Sequence, residues 1–405
     1  MSVEKNKNSG LELTYDTEKY HRKFKAVDKL INSDIDNGFP GAVLLIIKDG
    51  KIIKETAYGY KSRYDKTGAE LESPEKMTVD TVFDIASNTK MYATVFAIMK
   101  LVSDGVLNLD KTVQTYISEY NNSKVTVRHL LNHSAGYGPE IWFFHHNNQY
   151  GKEFFSQNRL HTSRLLLGKA PFEYETGCKS IYSDTGFMVL GILIEKLTGL
   201  MEDDYLYKNI YRPLGLTKTL FNPLLRGIDV NKIAATSLGN DCNHTLNYPN
   251  MRQEVIRGEV QDEKAYYSMG GVAGHAGLFS NAKEIAILEQ TVLNGGYYGN
   301  LKVFDEEVLK DFMKPSSTDP TFGCGWRRYS KNQPTSFFGK HSSEQAVGHT
   351  GFTGTVTLID PKYKLGIVLL TNKIHSQCEH RQYYEGNDYD VGKYEPVISS
   401  IYKRL

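Results

Sequence analysis

Gly41-Ala-Val-Leu-Leu-Ile-Ile-Lys48 runs into Asp49-Gly50 and returns as Lys51-Ile-Ile-Lys-Glu-Thr-Ala-Tyr-Gly-Tyr60. Branched apolar residues favour an extended chain, and Asp-Gly favours the tight two-residue turn of a hairpin. A second pair reads the same way near the other end. Gly354 to Asp360 and Leu365 to Asn372 are short strands joined by Pro361-Lys-Tyr-Lys364. Between the pairs the pattern is helical: Thr89 to Val102, with Met91, Val95, Ile98, Met99 and Val102 on one stripe, then Val127 to Asn132, Gly186 to Leu197 and Glu284 to Leu293. Tyr20, Phe24, Val27, Leu30 and Ile31 predict a helix before the first strand, capped at Asp16. Asp390 to Leu405 predicts a terminal helix with Pro396 near its first turn. Residues 61–79 and 373–390 read as polar loops, and 227–267 as irregular chain. Strands at both ends and helices between them predict an α/β (α+β) fold. An antiparallel sheet domain is expected from residues 15–95 plus 265–405, flanked by helices, with a mainly helical domain inserted over 96–264.

Composition narrows the function. The chain has 405 residues, 40% hydrophobic and 23% charged, which excludes a wholly disordered protein. Its 48 basic and 47 acidic residues leave a net charge of 48 − 47 = +1, without the basic bias of a nucleic-acid binder. The longest apolar runs, Ala42 to Ile47 and Ile367 to Leu370, fall far short of the ~20 residues that span a bilayer. Met1 to Gly10 is not followed by the apolar stretch of a secretory signal. A cytoplasmic location is expected for the chain as written, and an extracytoplasmic one if a leader precedes it. Cys178, Cys242, Cys324 and Cys378 are widely spaced, so no clustered zinc site is indicated and four free thiols are expected.

Ser87-x-x-Lys90 opens the helix after Phe83-Asp-Ile-Ala. Three residues apart, hydroxyl and amine share one helical face, and an amine nearby can take the proton that makes a serine nucleophilic. The helix start also favours an oxyanion. The pattern alone is cheap, because Ser2, Ser73, Ser280 and Ser400 each precede a lysine at the same spacing. Two companions single out Ser87. Ile181-Tyr-Ser-Asp-Thr-Gly186 sets Tyr182 and Asp184 before a helix, and a phenol near a lysine can act as a base. Gly348-His-Thr-Gly-Phe-Thr-Gly354 enters a strand whose glycines let backbone approach a ligand.

In that order the three motifs resemble the penicillin-recognising serine hydrolases, in particular the class C beta-lactamase-like group of beta-lactamases, DD-peptidases and esterases. Pro40 to Leu44, Val106 to Lys111, Val127 to Gly136, Gly186 to Gly199, Gly270 to Ser280 and Leu369 to Asn372 extend the likeness across roughly residues 20 to 375. The resemblance implies that Ser87 is acylated. Tyr182 and Lys90 would share the proton transfers, with the primary base left open between them. The Ser87 and Phe352 N–H groups would form the oxyanion hole, and Asp184, His349, Thr350 and Gly351 would contact substrate. It implies no cofactor and no metal. The expected substrate is a small ester, a beta-lactam or a short peptide; the oligomeric state stays open.

Two departures from the family pattern bear on activity. Asp184 stands where class C beta-lactamases carry asparagine, and a carboxylate favours the charged form of Lys90. His349 stands where many relatives carry lysine, and imidazole is neutral for much of the time near pH 7. Both weaken the beta-lactamase reading. They favour a DD-carboxypeptidase-like or esterase activity, with genuine beta-lactamase and a non-catalytic protein that keeps the fold as alternatives. His129 and His133, four apart, are assigned to packing and loop anchoring, and His145-His146 is read as a solvated or pocket-rim pair. His275 is read as structural, near the cleft; Gln261 and Asp262 receive no role.

Overall fold

The computed structural model describes residues 10–240, 247–332, 337–380 and 383–405. Its centre is an eight-stranded sheet built from both ends of the chain. The strands are β1 (Thr14–Tyr15), β2 (Gly41–Lys48), β3 (Lys51–Tyr64), β4 (Glu70–Lys76), β5 (Arg327–Arg328), β6 (Val347–Gly351), β7 (Thr355–Asp360) and β8 (Leu365–Thr371). They lie in the order β1-β3-β2-β8-β7-β6-β5, with β4 attached to β3. The seam between the two chain ends is antiparallel, Lys48 opposite Leu365 and Ala42 opposite Thr371. One edge departs from the expected antiparallel pattern: Thr14–Tyr15 runs parallel to Lys51–Ile52.

Alternation along β2 divides the interior. Val43, Leu45 and Ile47 face a large core shared with the helices of the middle of the chain. Ala42, Leu44 and Ile46 face a smaller core. Helix α1 (Lys25–Asp36) covers the small core with Val27 and Ile31, and α6 (Glu395–Tyr402) adds Val397, Ile398 and Ile401. The large core is continuous from β2 through α2 (Phe96–Ser103), α3 (Val127–Leu131), α4 (Asp184–Thr198) and α5 (Ala282–Leu293).

Several elements differ from expectation for local reasons. The first helix is broken after Tyr20, and Asp16 pairs with Lys51 at 3.1 Å instead of capping. Residues 61–79 are not a loop: β3 continues to Tyr64 and β4 returns beside it, held by Arg63–Glu70 and Lys61–Glu75 pairs that a polar sequence hides. Part of 373–390 also pairs as strands, Cys378–His380 with Tyr383–Tyr384. Cys178 and Cys324 are free as expected, but Cys378 is disulfide-bonded, which corrects the expectation of four thiols; Cys242 lies outside the described residues.

Candidate active site

Ser87 sits on a strained turn between strand and helix. Ala86 takes φ +46°, a left-handed conformation costly for alanine, and the Asp84 carboxylate holds it by accepting from the Ala86 N–H at 2.8 Å. The other Asp84 oxygen accepts from Gln261 N–H at 2.7 Å. A 3₁₀ turn, Ala86–Asn88, then passes into a π-helical turn, Lys90–Val95, that leads into α2. Such turns shift side-chain phase and are frequent at functional sites. The sheet locks this turn in place. The Asn88 amide is bonded to Thr355 and Thr357 of β7 at 3.0 and 2.8 Å, and Thr353 donates to the Asp84 carbonyl at 2.7 Å. Gly351 must lack a side chain, since a Cβ there would lie 2.5 Å from the Ile85 carbonyl.

Lys90 is buried and donates to three acceptors: Ser87 Oγ at 3.1 Å, Asp184 Oδ1 at 2.8 Å and the His275 carbonyl at 3.1 Å. Burial opposes its charge, but Asp184 and Tyr182 outweigh burial and hold it as an ammonium. Its nitrogen lies 4.8 Å from the Tyr182 ring centre. Tyr182 interacts with both Lys90 and Ser87. Burial raises its phenol, Lys90 pulls it back and Asp184 raises it again, and the net direction is upward. The resting cluster is therefore Lys90 ammonium with Tyr182 phenol.

Tyr182 is positioned by its neighbour Ser183 and by His133. Ser183 caps α4 with its hydroxyl, its N–H donates to His133 Nδ1 at 3.0 Å, and the His133 ring packs on Tyr182 at 4.7 Å. His133 does not share a helix with His129. It lies past the end of α3 at φ +56°, while His129 takes part in the capping of that helix. Burial and Lys90 keep His133 neutral.

Strand β6 forms the opposite wall. His349 is buried, its Nδ1–H donates to the Thr350 carbonyl at 2.7 Å, and its ring centre is 5.6 Å from that of Tyr182. Burial and Lys90 push it down to about 3, so it is a neutral ring whose unprotonated Nε2 has no hydrogen-bond partner among the described residues. Thr350 and the exposed Phe352 line the same cleft as Ser87, which measures about 850 Å³.

Sequence reasoning missed three cleft residues. Arg327, on neighbouring β5, lines the wall beside His349 and lies over the Phe322 ring at 4.1 Å; Asp319 is the strongest anionic influence on it. Lys264 is buried and bonded to Glu140 at 2.5 Å, Asp262 at 3.1 Å and Asp184 at 3.2 Å. Glu140 is the third. No spacing rule links residues this far apart, but a carboxylate at Asp184, next to a catalytic lysine, was a signal to look for a second cation. Asp262 and His275 gain a place too, joined at 2.9 Å. Asp184, Asp262 and His275 bring ligand atoms within 4.8 Å of one another, and the cation seated on both of their carboxylates is the Lys264 ammonium.

Comparison with known proteins identifies the family and the fold. The family model described as Beta-lactamase matches residues 23–388. "N-acetylmuramyl-L-alanine amidase" of Bacillus subtilis (strain 168) is 46% identical over 399 residues, 95% of this chain and 89% of the relative. "Putative D-alanyl-D-alanine carboxypeptidase" of Escherichia coli (strain K12) is 43% identical over 397 residues, 95% of this chain and 91% of the relative. Among solved structures, a penicillin-binding protein homologue from Caulobacter crescentus superimposes with TM-score 0.66 at 20% identity, covering 95% of this chain and 98% of that one. EstCE1, a hydrolase with promiscuous acyltransferase activity, gives 0.68 at 20% identity, covering 94% and 100%.

Proposed function

The chain belongs to the beta-lactamase family and is a serine hydrolase, and from that premise we propose that it cleaves an amide bond in short, carboxylate-ended peptides of the D-alanyl type. Ser87 attacks the scissile carbonyl. Its proton leaves through the Lys90–Tyr182 pair once that pair has lost one proton, and Tyr182 is the base because all three bonding positions of the Lys90 ammonium are filled. The N–H groups of Ser87 and Phe352 receive the developing oxyanion. Tyr182 then protonates the leaving amine and later activates water against the acyl-enzyme.

Arg327 is the observation that carries the substrate class. His349 is neutral, so among the described residues the permanent cation on this wall is the Arg327 guanidinium, whose geometry suits a carboxylate. Thr350 lines the same cleft. A beta-lactam carboxylate meets the same wall, and we expect slow acylation followed by slower deacylation. Intact-mass analysis after incubation with a penicillin tests this: a persistent adduct on Ser87 is expected, and rapid steady-state nitrocefin hydrolysis contradicts it. Paired peptides ending in D-Ala-D-Ala, one with a free carboxylate and one amidated, test the substrate class. Equal cleavage of both removes Arg327 from recognition. A second reading, cleavage of the bond between a sugar lactyl group and L-alanine, is favoured by the name of the 46% identical relative and by a cleft roomy enough for a sugar.

The disulfide at Cys378 supports an oxidising compartment rather than the cytoplasm for this work. Fractionation of native cells is the check, and recovery with cytoplasmic markers contradicts it.

A further inference from the structure

Five residues close a ring behind the nucleophile. Lys90 donates to Asp184 Oδ1 at 2.8 Å, and Asp184 Oδ2 meets Lys264 at 3.2 Å. Lys264 meets Asp262 Oδ2 at 3.1 Å, Asp262 Oδ1 meets His275 Nε2 at 2.9 Å, and the His275 carbonyl returns to Lys90 at 3.1 Å. Glu140 adds a third carboxylate to Lys264 at 2.5 Å, from the cleft side. A carboxylate beside Lys90 has two effects. It fixes the ammonium, and its field raises the proton affinity of Tyr182. An asparagine has only the first effect, weakly. A second cation on the far oxygen of Asp184 keeps the fixing and offsets the field.

We propose that Lys264 is a positioning residue for the hydrolysis: by sharing Asp184 with Lys90 it holds the Lys90 ammonium on Ser87 and cancels part of the negative field at the Tyr182 phenol. The ion pairs of Lys264 go to Glu140, Asp184 and Asp262, so its influence on Ser87 and Tyr182 passes through Asp184. The reading rests on Tyr182 as the titrating base. The charged and titratable groups facing Tyr182 are Lys90 over its ring, Asp184 two residues on, the His133 and His349 rings, and Arg327 from β5. Burial keeps both histidines neutral, so neither competes for the same limb of the pH profile.

The test is the pH profile of kcat/KM on one p-nitrophenyl ester. Lys264→Met removes a positive charge and should move the rising limb to higher pH by about one unit, with roughly tenfold lower kcat/KM at pH 7. Lys264→Arg should restore the limb. Glu140→Gln removes a negative charge near the cleft mouth and should move the limb the opposite way, to lower pH. It also decides the matter if Lys264→Met does not fold. Limbs of Lys264→Met and Glu140→Gln that coincide with wild type, in folded protein, overturn the proposal. Tyr182→Phe separates the two readings. If it leaves the limb in place, Tyr182 is not the base and the Lys264 proposal falls with it; if it removes the limb while Lys264→Met leaves the limb unmoved, the Lys264 proposal alone fails.

Discussion

On the helix side of the cleft, Lys90 and Lys264 each donate to three acceptors, and Asp184 is shared between them. On the strand side, Arg327 lies against an aromatic ring and His349 turns one ring nitrogen into the backbone of the next residue. The two walls carry charge in opposite states of completion. A closed charge set fixes where protons sit, which suits a nucleophile and its base. A wall whose cation awaits an anion suits recognition. Chemistry and specificity are thereby assigned to different elements, the turns leading into α2 and the start of α4 on one side and β5 and β6 on the other.

Removing the nucleophile should have the largest effect. Ser87→Ala is expected to lower turnover by at least about 10⁴-fold without loss of fold, and peptide mapping of a trapped adduct should find label on Ser87. Label on Ser73 or Ser280 would dissolve the helix-side assignment altogether. Next in size is Tyr182→Phe, for which a loss on the order of 10²–10⁴ in kcat/KM is expected, in both acylation and deacylation. Asp184→Asn should instead move the rising limb to lower pH and leave activity standing. Identical profiles for wild type and Tyr182→Phe would shift the base to Lys90 or to another group. Arg327→Gln probes the other wall. A loss of roughly 10–100-fold is expected for a carboxylate-ended peptide, the size of one charge-assisted hydrogen bond, with little change for a neutral ester. An equal loss on both substrates would make Arg327 part of the chemical machinery.

The smallest effects belong to the buried histidines. His349 and His375 are held down to about 3 by burial, whereas in an unfolded chain each titrates near 6.5. Between these values the unfolded state binds more protons, so stability is full above pH ~6.5 and declines as pH falls toward 3. Urea midpoints at pH 7.5 and 5 should therefore differ, and His375→Gln should narrow the difference. His349 should add no step to KM between pH 5 and 8. A step near 6.5 would make the strand wall a titrating one and spoil the contrast between the walls.

Much of this was legible in the sequence because the signals were local. The Asp49-Gly50 turn and the branched runs on either side of it specify a hairpin without help from distant residues. Ser87, Lys90, Tyr182 and His349 each lie in a short motif, and the structure brings them to one cleft. The ring partners could not be read that way. Lys264 reaches Asp184 from the irregular segment after Gly258, Glu140 reaches Lys264 from the loop after α3, and irregular chain has no period. Strand β4 was missed for a related reason. Its glutamates and lysine look like loop composition, and what makes it a strand is pairing with β3 and ion pairs across that edge.

The seam between β2 and β8 has a consequence for how the protein is made. Residues 41–48 leave the ribosome long before their partners at 365–371. Before residues 347–360 follow, Ser87 exists on a nascent chain without the wall of β6 or the clamp of Thr355 and Thr357 on Asn88. Closing so long a loop costs little more than closing one half its length, about 0.6 kcal/mol, so the finished protein loses little stability. The delay is in time instead. A chain stalled before Leu365 carries the reactive serine and an unpaired β2 edge, yet no completed sheet behind the cleft, so hydrolytic competence waits for β8.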